Sequence, residues 1–198
     1  MRTVFLADTS PLLRDAWAEQ FSDCPEIKII ESAFSVSATA IVSPANSYGF
    51  MDGGFDYLLT SVLGESVERD VKRVINDIYD GELLVGQAFT QLTNHQLWPY
   101  LIVAPTMRVP MVLGPNTINP YLAARAAFLQ MRKKEFKSII ITGLGTGVGK
   151  VPPQLCASQM KQAYTDVFTG QQAPSTWREA QLRHLGLYTT TTEDLQNP

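Results

Sequence analysis

The stretch Ser138-Ile139-Ile140-Ile141-Thr142-Gly143-Leu144-Gly145-Thr146-Gly147-Val148-Gly149-Lys150 passes from three consecutive isoleucines straight into a turn with glycine at every second position. β-Branched side chains on successive residues point to both faces of a strand, so this strand is expected to be covered on both sides, as in a parallel sheet. Pro152-Pro153 then opens a helix on which Cys156, Met160, Ala163 and Val167 share one face. Strand, glycine turn and helix make one α/β unit. Four glycines in the seven positions 143–149 cost more chain entropy than a simple reversal requires. In an open α/β sheet such a turn sits at the carboxyl ends of the strands, where backbone amides can approach an anion.

Reading outward, the same alternation recurs. Thr3 to Ala7 is a short apolar strand, and Ser10-Pro11 reads as a cap followed by proline at the first helical position. Leu13, Trp17 and Phe21 form the buried stripe of that helix, which Cys24-Pro25 closes. Ile27 to Glu31 and Ala38 to Val42 read as buried strands. From Ser43 to Gly54 periodicity disappears, and Pro44, Asn46, Ser47, Gly49, Asp52, Gly53 and Gly54 make a second loop able to take unusual backbone conformations. A helical pattern resumes at Asp56, and Val67, Val71, Val74, Ile75 and Ile78 give it an apolar face that stops near Gly81. Gly86 to Leu92 and Tyr100 to Ala104 read as strands, and Asn119-Pro120 repeats the cap-then-proline signal before a helix reaching about Lys134. Residues 169–176 read as a linker, followed by a short helix with Trp177 and Leu185 and a threonine-rich tail. The expected architecture is α/β, a three-layer α/β/α sandwich on a mixed, mainly parallel central sheet. The chain reads as one domain over 1–198, with a core at about 27–168 and a C-terminal extension at 169–198.

Two phosphate-binding patterns fail on spacing. A Walker A loop ending in Gly149-Lys150 would need glycine at Leu144 and a hydroxyl at Val151. A dinucleotide fingerprint from Gly143 would need glycine at Val148, and one from Gly145 would need it at Lys150. Triphosphate hydrolysis by that route and hydride transfer with a nicotinamide cofactor drop accordingly. A different phosphorylated ligand on a generic α/β frame stays open.

With these loops in view, the chain resembles the macro domains that bind ADP-ribose. Ala40-Ile41-Val42-Ser43-Pro44-Ala45-Asn46-Ser47 followed by Gly53-Gly54-Phe55-Asp56 is similar to that family's Asn-Ala-Ala-Asn-Ser strand end and Gly-Gly-Val-Asp loop, and the ten-residue step from Asn46 to Asp56 matches its spacing. Gly86-Gln87-Ala88-Phe89-Thr90 resembles its Gly-x-Ala-x-x-Thr strand, and Ile139 through Gly149 resembles its apolar strand and phosphate loop. The resemblance implies that Asn46 and Asp56 face the distal ribose. It also implies that Gly53, Gly54 and Gly145, Thr146, Gly147 and Val148 wrap the diphosphate, with Ser43, Phe55 and Gly149 in the binding set. Glu31 sits near the family's adenine-binding aspartate; a solvated strand-end charge is the competing reading. In the catalytic form, Asp56 orients water towards the anomeric carbon while Asn46 fixes a ribose hydroxyl. The simpler role for Asp56 is to cap the next helix. Three activities follow: hydrolysis of mono-ADP-ribosyl or O-acyl-ADP-ribose linkages, non-catalytic reading of ADP-ribose, or dephosphorylation of ADP-ribose-1″-phosphate. Three departures stand out: Ser43 replaces the motif's first asparagine, Ile102-Val103-Ala104-Pro105-Thr106-Met107 differs from the family's strand ending, and Gly149 stands where many hydrolytic members carry an aromatic ring.

Composition narrows the partners. The 198 residues carry a formal net charge of −3 with scattered lysines and arginines, so no basic stripe is expected to bind nucleic acid. Cys24 and Cys156 lack ligand spacing, which suggests reduced buried thiols in a cytoplasmic protein, with neither a metal nor a resident cofactor. No stretch approaches the roughly 18 apolar residues of a membrane span. His95 and His184 have no acidic or serine partner at motif spacing and read as surface or loop residues. Trp17, Trp98 and Trp177 read as core or interface packing. Arg108 and Arg125 are candidates to reach phosphate, and Phe50 or Phe55 to touch ligand. Oligomeric state has no signature.

Overall fold

A computed structural model describes residues 2–170 and 172–188. The chain order is β1 (Thr3–Ala7), α1 (Pro11–Gln20), β2 (Ile27–Ile30), a 3-10 turn (Ala33–Ser35), β3 (Ala40–Ser43), α2 (Gly54–Leu63), α3 (Ser66–Tyr79), β4 (Phe89–Leu92), β5 (Tyr100–Val103), α4 (Asn119–Lys133), β6 (Ser138–Thr142), α5 (Pro153–Phe168) and α6 (Trp177–Leu185). The six strands form one sheet in the order β2-β1-β6-β3-β5-β4. All neighbours are parallel except β4, which runs antiparallel to β5 at the edge.

The alternation within β6 builds the layers. Ile139 and Ile141 join Val4, Leu6, Val42 and Ile102 against Leu13 and Trp17 of α1, Phe128 of α4 and Met160 of α5. Ile140 points the other way and joins Ile41, Leu101 and Val103 against Leu59 of α2 and Val71 and Ile75 of α3. All three isoleucines are fully buried, and at about 1.5–3 kcal/mol per buried aliphatic side chain this strand is a principal hydrophobic anchor of both cores. The result is the mixed, mainly parallel α/β/α sandwich expected from the sequence.

Several boundaries differ from the sequence expectation. The single helix read from Asp56 to about Gly81 is two helices, because Gly64 at φ 91° breaks the path after α2. The strand read from Gly86 starts at Phe89, since Gly86 itself has φ 99°. Ser10 does not cap α1 through its side chain; instead Asp8 Oδ1 accepts from the Ser10 amide at 2.8 Å. Nor does Asn119 cap α4, because its Nδ2 donates to the Thr106 carbonyl at 2.8 Å. Trp17 and Trp98 are buried, but Trp177 is 71% exposed. Cys156 is buried and Cys24 only half-buried. The packed core also reaches back beyond residue 27 to β1 and α1. Part of the C-terminal extension is tied in: fully buried Gln159 donates to the carbonyls of Thr117 at 2.8 Å and Leu187 at 2.9 Å. The threonine-rich tail lies outside the described residues. No helix among them is long and apolar enough to cross a membrane.

Candidate functional site

Because β1, β6, β3 and β5 are parallel, the loops that follow them emerge at one end of the sheet. There they enclose a cleft of about 570 Å³, within the range of roughly 300–1,000 Å³ usual for small-ligand sites. Its walls include Asn46, Gly53, Gly54, Phe55 and Asp56 from the loop before α2, Gly145 to Val148 from the loop after β6, and Glu31 from the end of β2. Ser43 and Gly149 are not in its lining.

The two glycine loops offer unpaired amides. Gly53 precedes the first turn of α2, where the initial N–H groups have no carbonyl four residues back. Among the described residues the N–H groups of Gly145, Thr146, Gly147 and Val148 make no hydrogen bond, whereas the carbonyls of Gly145, Gly147 and Gly149 accept from Val151, Lys150 and Leu113 at 3.0, 3.3 and 2.9 Å. The turn thus closes on its own oxygens, with Leu113 tying it from outside, and leaves its donors free. A Cβ on Gly53, Gly54 or Gly147 would meet nothing within 4 Å, so these residues open the cleft to close approach. Gly149 has another role. Its Cβ would lie 2.4 Å from the Gly145 carbonyl oxygen, so the chain's own tight turn excludes any side chain at this place.

Asp56 lies in the first turn of α2 and is 7% exposed. Its Oδ1 accepts from the buried Ser43 hydroxyl at 2.6 Å, which explains why a small hydroxyl residue ends β3. Oδ2 has no hydrogen-bond partner among the described residues. Burial pushes the carboxyl up from 3.8 to about 7, against the opposing pull of the Ser43 hydrogen bond. Such a group exchanges protons near neutrality, as general acid or base chemistry requires. Asn46, also buried, is largely committed to its own loop: Nδ2 donates to the Phe50 carbonyl at 2.7 Å, and Oδ1 accepts from the amides of Tyr48 at 3.1 Å and Phe50 at 3.3 Å. One Nδ2 hydrogen is left for a ligand.

Other lining residues carried no signal in the sequence beyond their place at strand ends. Asp8 follows β1, Thr106 follows β5, and Thr142 ends β6. Thr142 Oγ1 is sealed in without a partner. Phe34 comes from the 3-10 turn and packs between Phe55 and Trp98, each with ring centroids 5.6 Å away. Neither arginine candidate lines the cleft. Arg108 pairs with Glu82 at 2.6 Å, and Arg125 borders a separate cavity of about 430 Å³ between α4, α5 and α6. Phe50 and Phe55 both line the cleft. His95 stacks on Trp98 with centroids 4.6 Å apart, and His184 lies against Tyr188. Among the described residues no group of three or more histidine, cysteine, aspartate or glutamate side chains is arranged to hold a metal ion.

Comparison with known proteins agrees with this geometry. A family model described as Macro domain matches residues 42–160, which include both glycine loops. An uncharacterized protein of Aquifex aeolicus (strain VF5) is 34% identical over 137 residues, covering 68% of this chain and 78% of that protein. Among solved structures, the macrodomain of Mycobacterium tuberculosis DarG superposes with a TM-score of 0.57 at 14% identity, over 84% of this chain and 91% of that one. An Oceanobacillus iheyensis macrodomain with ADPR gives a TM-score of 0.59 at 16% identity, over 76% and 84% of the two chains. At such identities the structural likeness is one of fold.

Proposed function

Since the chain belongs to the macro-domain family, we propose that its cleft binds ADP-ribose, the diphosphate lying against the amides of both glycine loops and the distal ribose against Asn46 and Asp56. The observation that carries this reading is the convergence of two sets of unpaired backbone donors on one cleft at the carboxyl ends of β3 and β6. Amides preorganised by the hydrogen bonds that their loop's carbonyls make hold phosphate without a charged side chain. Glu31 and Asp8 stand at the β2 and β1 ends of the cleft, where a carboxylate can accept from an adenine amino group. Titration calorimetry with ADP-ribose, ADP and AMP tests the assignment. Affinity should fall in that order, because only the full ligand reaches Asn46 and Asp56; equal affinities remove both residues from the site.

The cleft also supports hydrolysis of an ADP-ribosyl linkage. Asp56 is buried, keeps Oδ2 free and titrates near neutrality, so it can take a proton from water attacking the anomeric carbon. Release of ADP-ribose from a mono-ADP-ribosylated protein should be lost in Asp56→Ala. Equal release by the variant and the parent chain leaves a module that only reads ADP-ribose.

A further inference from the structure

We propose that the cleft selects ADP-ribose attached through nitrogen to a cationic group, an arginine guanidinium in a modified protein, over ADP-ribose bearing a terminal phosphate or joined through oxygen to a neutral side chain. The inference rests on the reading of the cleft given above and concerns what lies beyond the distal ribose.

The observation is one of charge. Four carboxylates, Asp8, Glu31, Asp52 and Asp56, line the cleft, and no lysine, arginine or histidine does. Of the cations around the cleft, Arg108 pairs with Glu82, Lys72 pairs with Glu68 at 2.5 Å, and Arg14 is held on the Asp8 carbonyl at 2.7 Å; Lys150 follows the glycine loop outside the lining. The diphosphate is therefore met by neutral amides alone, and, with Asp8 and Glu31 at the adenine end, a further negative charge beyond the distal ribose faces Asp52 on the loop before α2.

Asp52 and Asp56 flank the glycine pair Gly53-Gly54 on the loop that the reading above sets beside the distal ribose. Asp52 is exposed and makes no ion pair or hydrogen bond among the described residues. Asp56, only 7% exposed, spends Oδ1 on Ser43 and leaves Oδ2 open. Phe50 stands two residues from Asp52, is 51% exposed and also lines the cleft. Its ring already carries one cation, with Lys72 Nζ 4.0 Å from the centroid. A carboxylate and a half-exposed aromatic ring on one loop, both lining the cleft, suit a planar guanidinium, which donates paired N–H groups to the one and stacks on the other. A terminal phosphate offers neither contact and meets the carboxylate of Asp52 instead.

The test uses the full chain and two synthetic peptides of matched sequence, mono-ADP-ribosylated on arginine or on serine, together with ADP-ribose and ADP-ribose-1″-phosphate. Affinities are measured by calorimetry; where a peptide is cleaved during titration, the same ratio is read from kcat/KM for release. The arginine-linked peptide is expected to be favoured by about threefold to fivefold, and terminal phosphate to weaken binding by about threefold relative to ADP-ribose, the scale of one charge contact at an exposed carboxylate. In Asp52→Asn the arginine-to-serine ratio should shrink towards one. Equal treatment of the two peptides, or tighter binding of the 1″-phosphate, overturns this inference and leaves ADP-ribose binding intact. Failure of ADP-ribose itself to bind overturns the underlying reading instead.

Discussion

Replacing Asp56 by Asn should make the unliganded protein more stable and less able to act on its ligand, with the stability gain dependent on pH. Asparagine has nearly the same shape and can still accept the Ser43 hydroxyl, so the perturbation is the loss of an ionisable proton. In the folded chain the carboxyl titrates at about 7 against an ordinary value of 3.8. Between those values the folded state holds a proton that the unfolded chain has released, so stability falls as pH rises from about 4 and reaches its floor above about 7. At about 1.4 kcal/mol per pH unit, a displacement from 3.8 to about 7 corresponds to about 4 kcal/mol at pH 8, an upper bound of the order of a domain's net stability. Asparagine escapes this cost. Urea unfolding of both proteins at several pH values between about 3.5 and 8 should give a gap below about 0.5 kcal/mol at the acid end that widens up to about pH 7 and then levels off. A gap that does not change with pH, or a wild type that gains on the variant as pH rises, would refute the assignment of a buried, reluctantly ionised carboxyl to this position.

Two glycines of one loop should respond oppositely. Gly147→Ala points its methyl into open space and should leave the melting temperature within the range of a neutral surface change, about 0.5 kcal/mol, while lowering ADP-ribose affinity at least several-fold in calorimetry. Gly149→Ala drives Cβ into the Gly145 carbonyl and should cost about 1–3 kcal/mol, as overpacking does, measured as a lower midpoint in denaturant. With carboxylates but no basic side chain in the lining, ADP-ribose affinity should hold or rise between 50 and 500 mM salt, and a steep fall would reveal a hidden ionic contact. Gln159→Leu strips a donor from the buried carbonyls of Thr117 and Leu187 and should cost about 1–3 kcal/mol, with faster amide exchange around residues 176–188 under native conditions.

The strands and the positions of both glycine loops are legible locally. Runs such as Ile139-Ile140-Ile141 can hardly be placed except between two apolar layers, and the alternation of strand and helix restricts the sheet to a mainly parallel one. Gly53, Gly54 and Gly145 to Val148 follow strands directly, so their arrival at one end of the sheet comes from topology alone. Helix boundaries are less legible, since Gly64 interrupts an otherwise continuous helical pattern, Ser10 makes no side-chain cap and Asn119 turns to the Thr106 carbonyl instead. The last of these depends on a residue outside the helix it would cap.

Asp56 shows where local information ends. Its residue type, its spacing from Asn46 and its place after a glycine pair are visible in the linear chain. Its unusual readiness to hold a proton comes from burial against the end of β3, and no spacing rule conveys that. The same holds for Gly149, whose lack of a side chain could equally mean an open pocket or a crowded turn until the Gly145 carbonyl is seen 2.4 Å from its missing Cβ. Periodicity and turn chemistry act between near neighbours and so can be read along the chain; desolvation, exclusion and the summed charge of a cleft arise between segments that meet only once the sheet has formed.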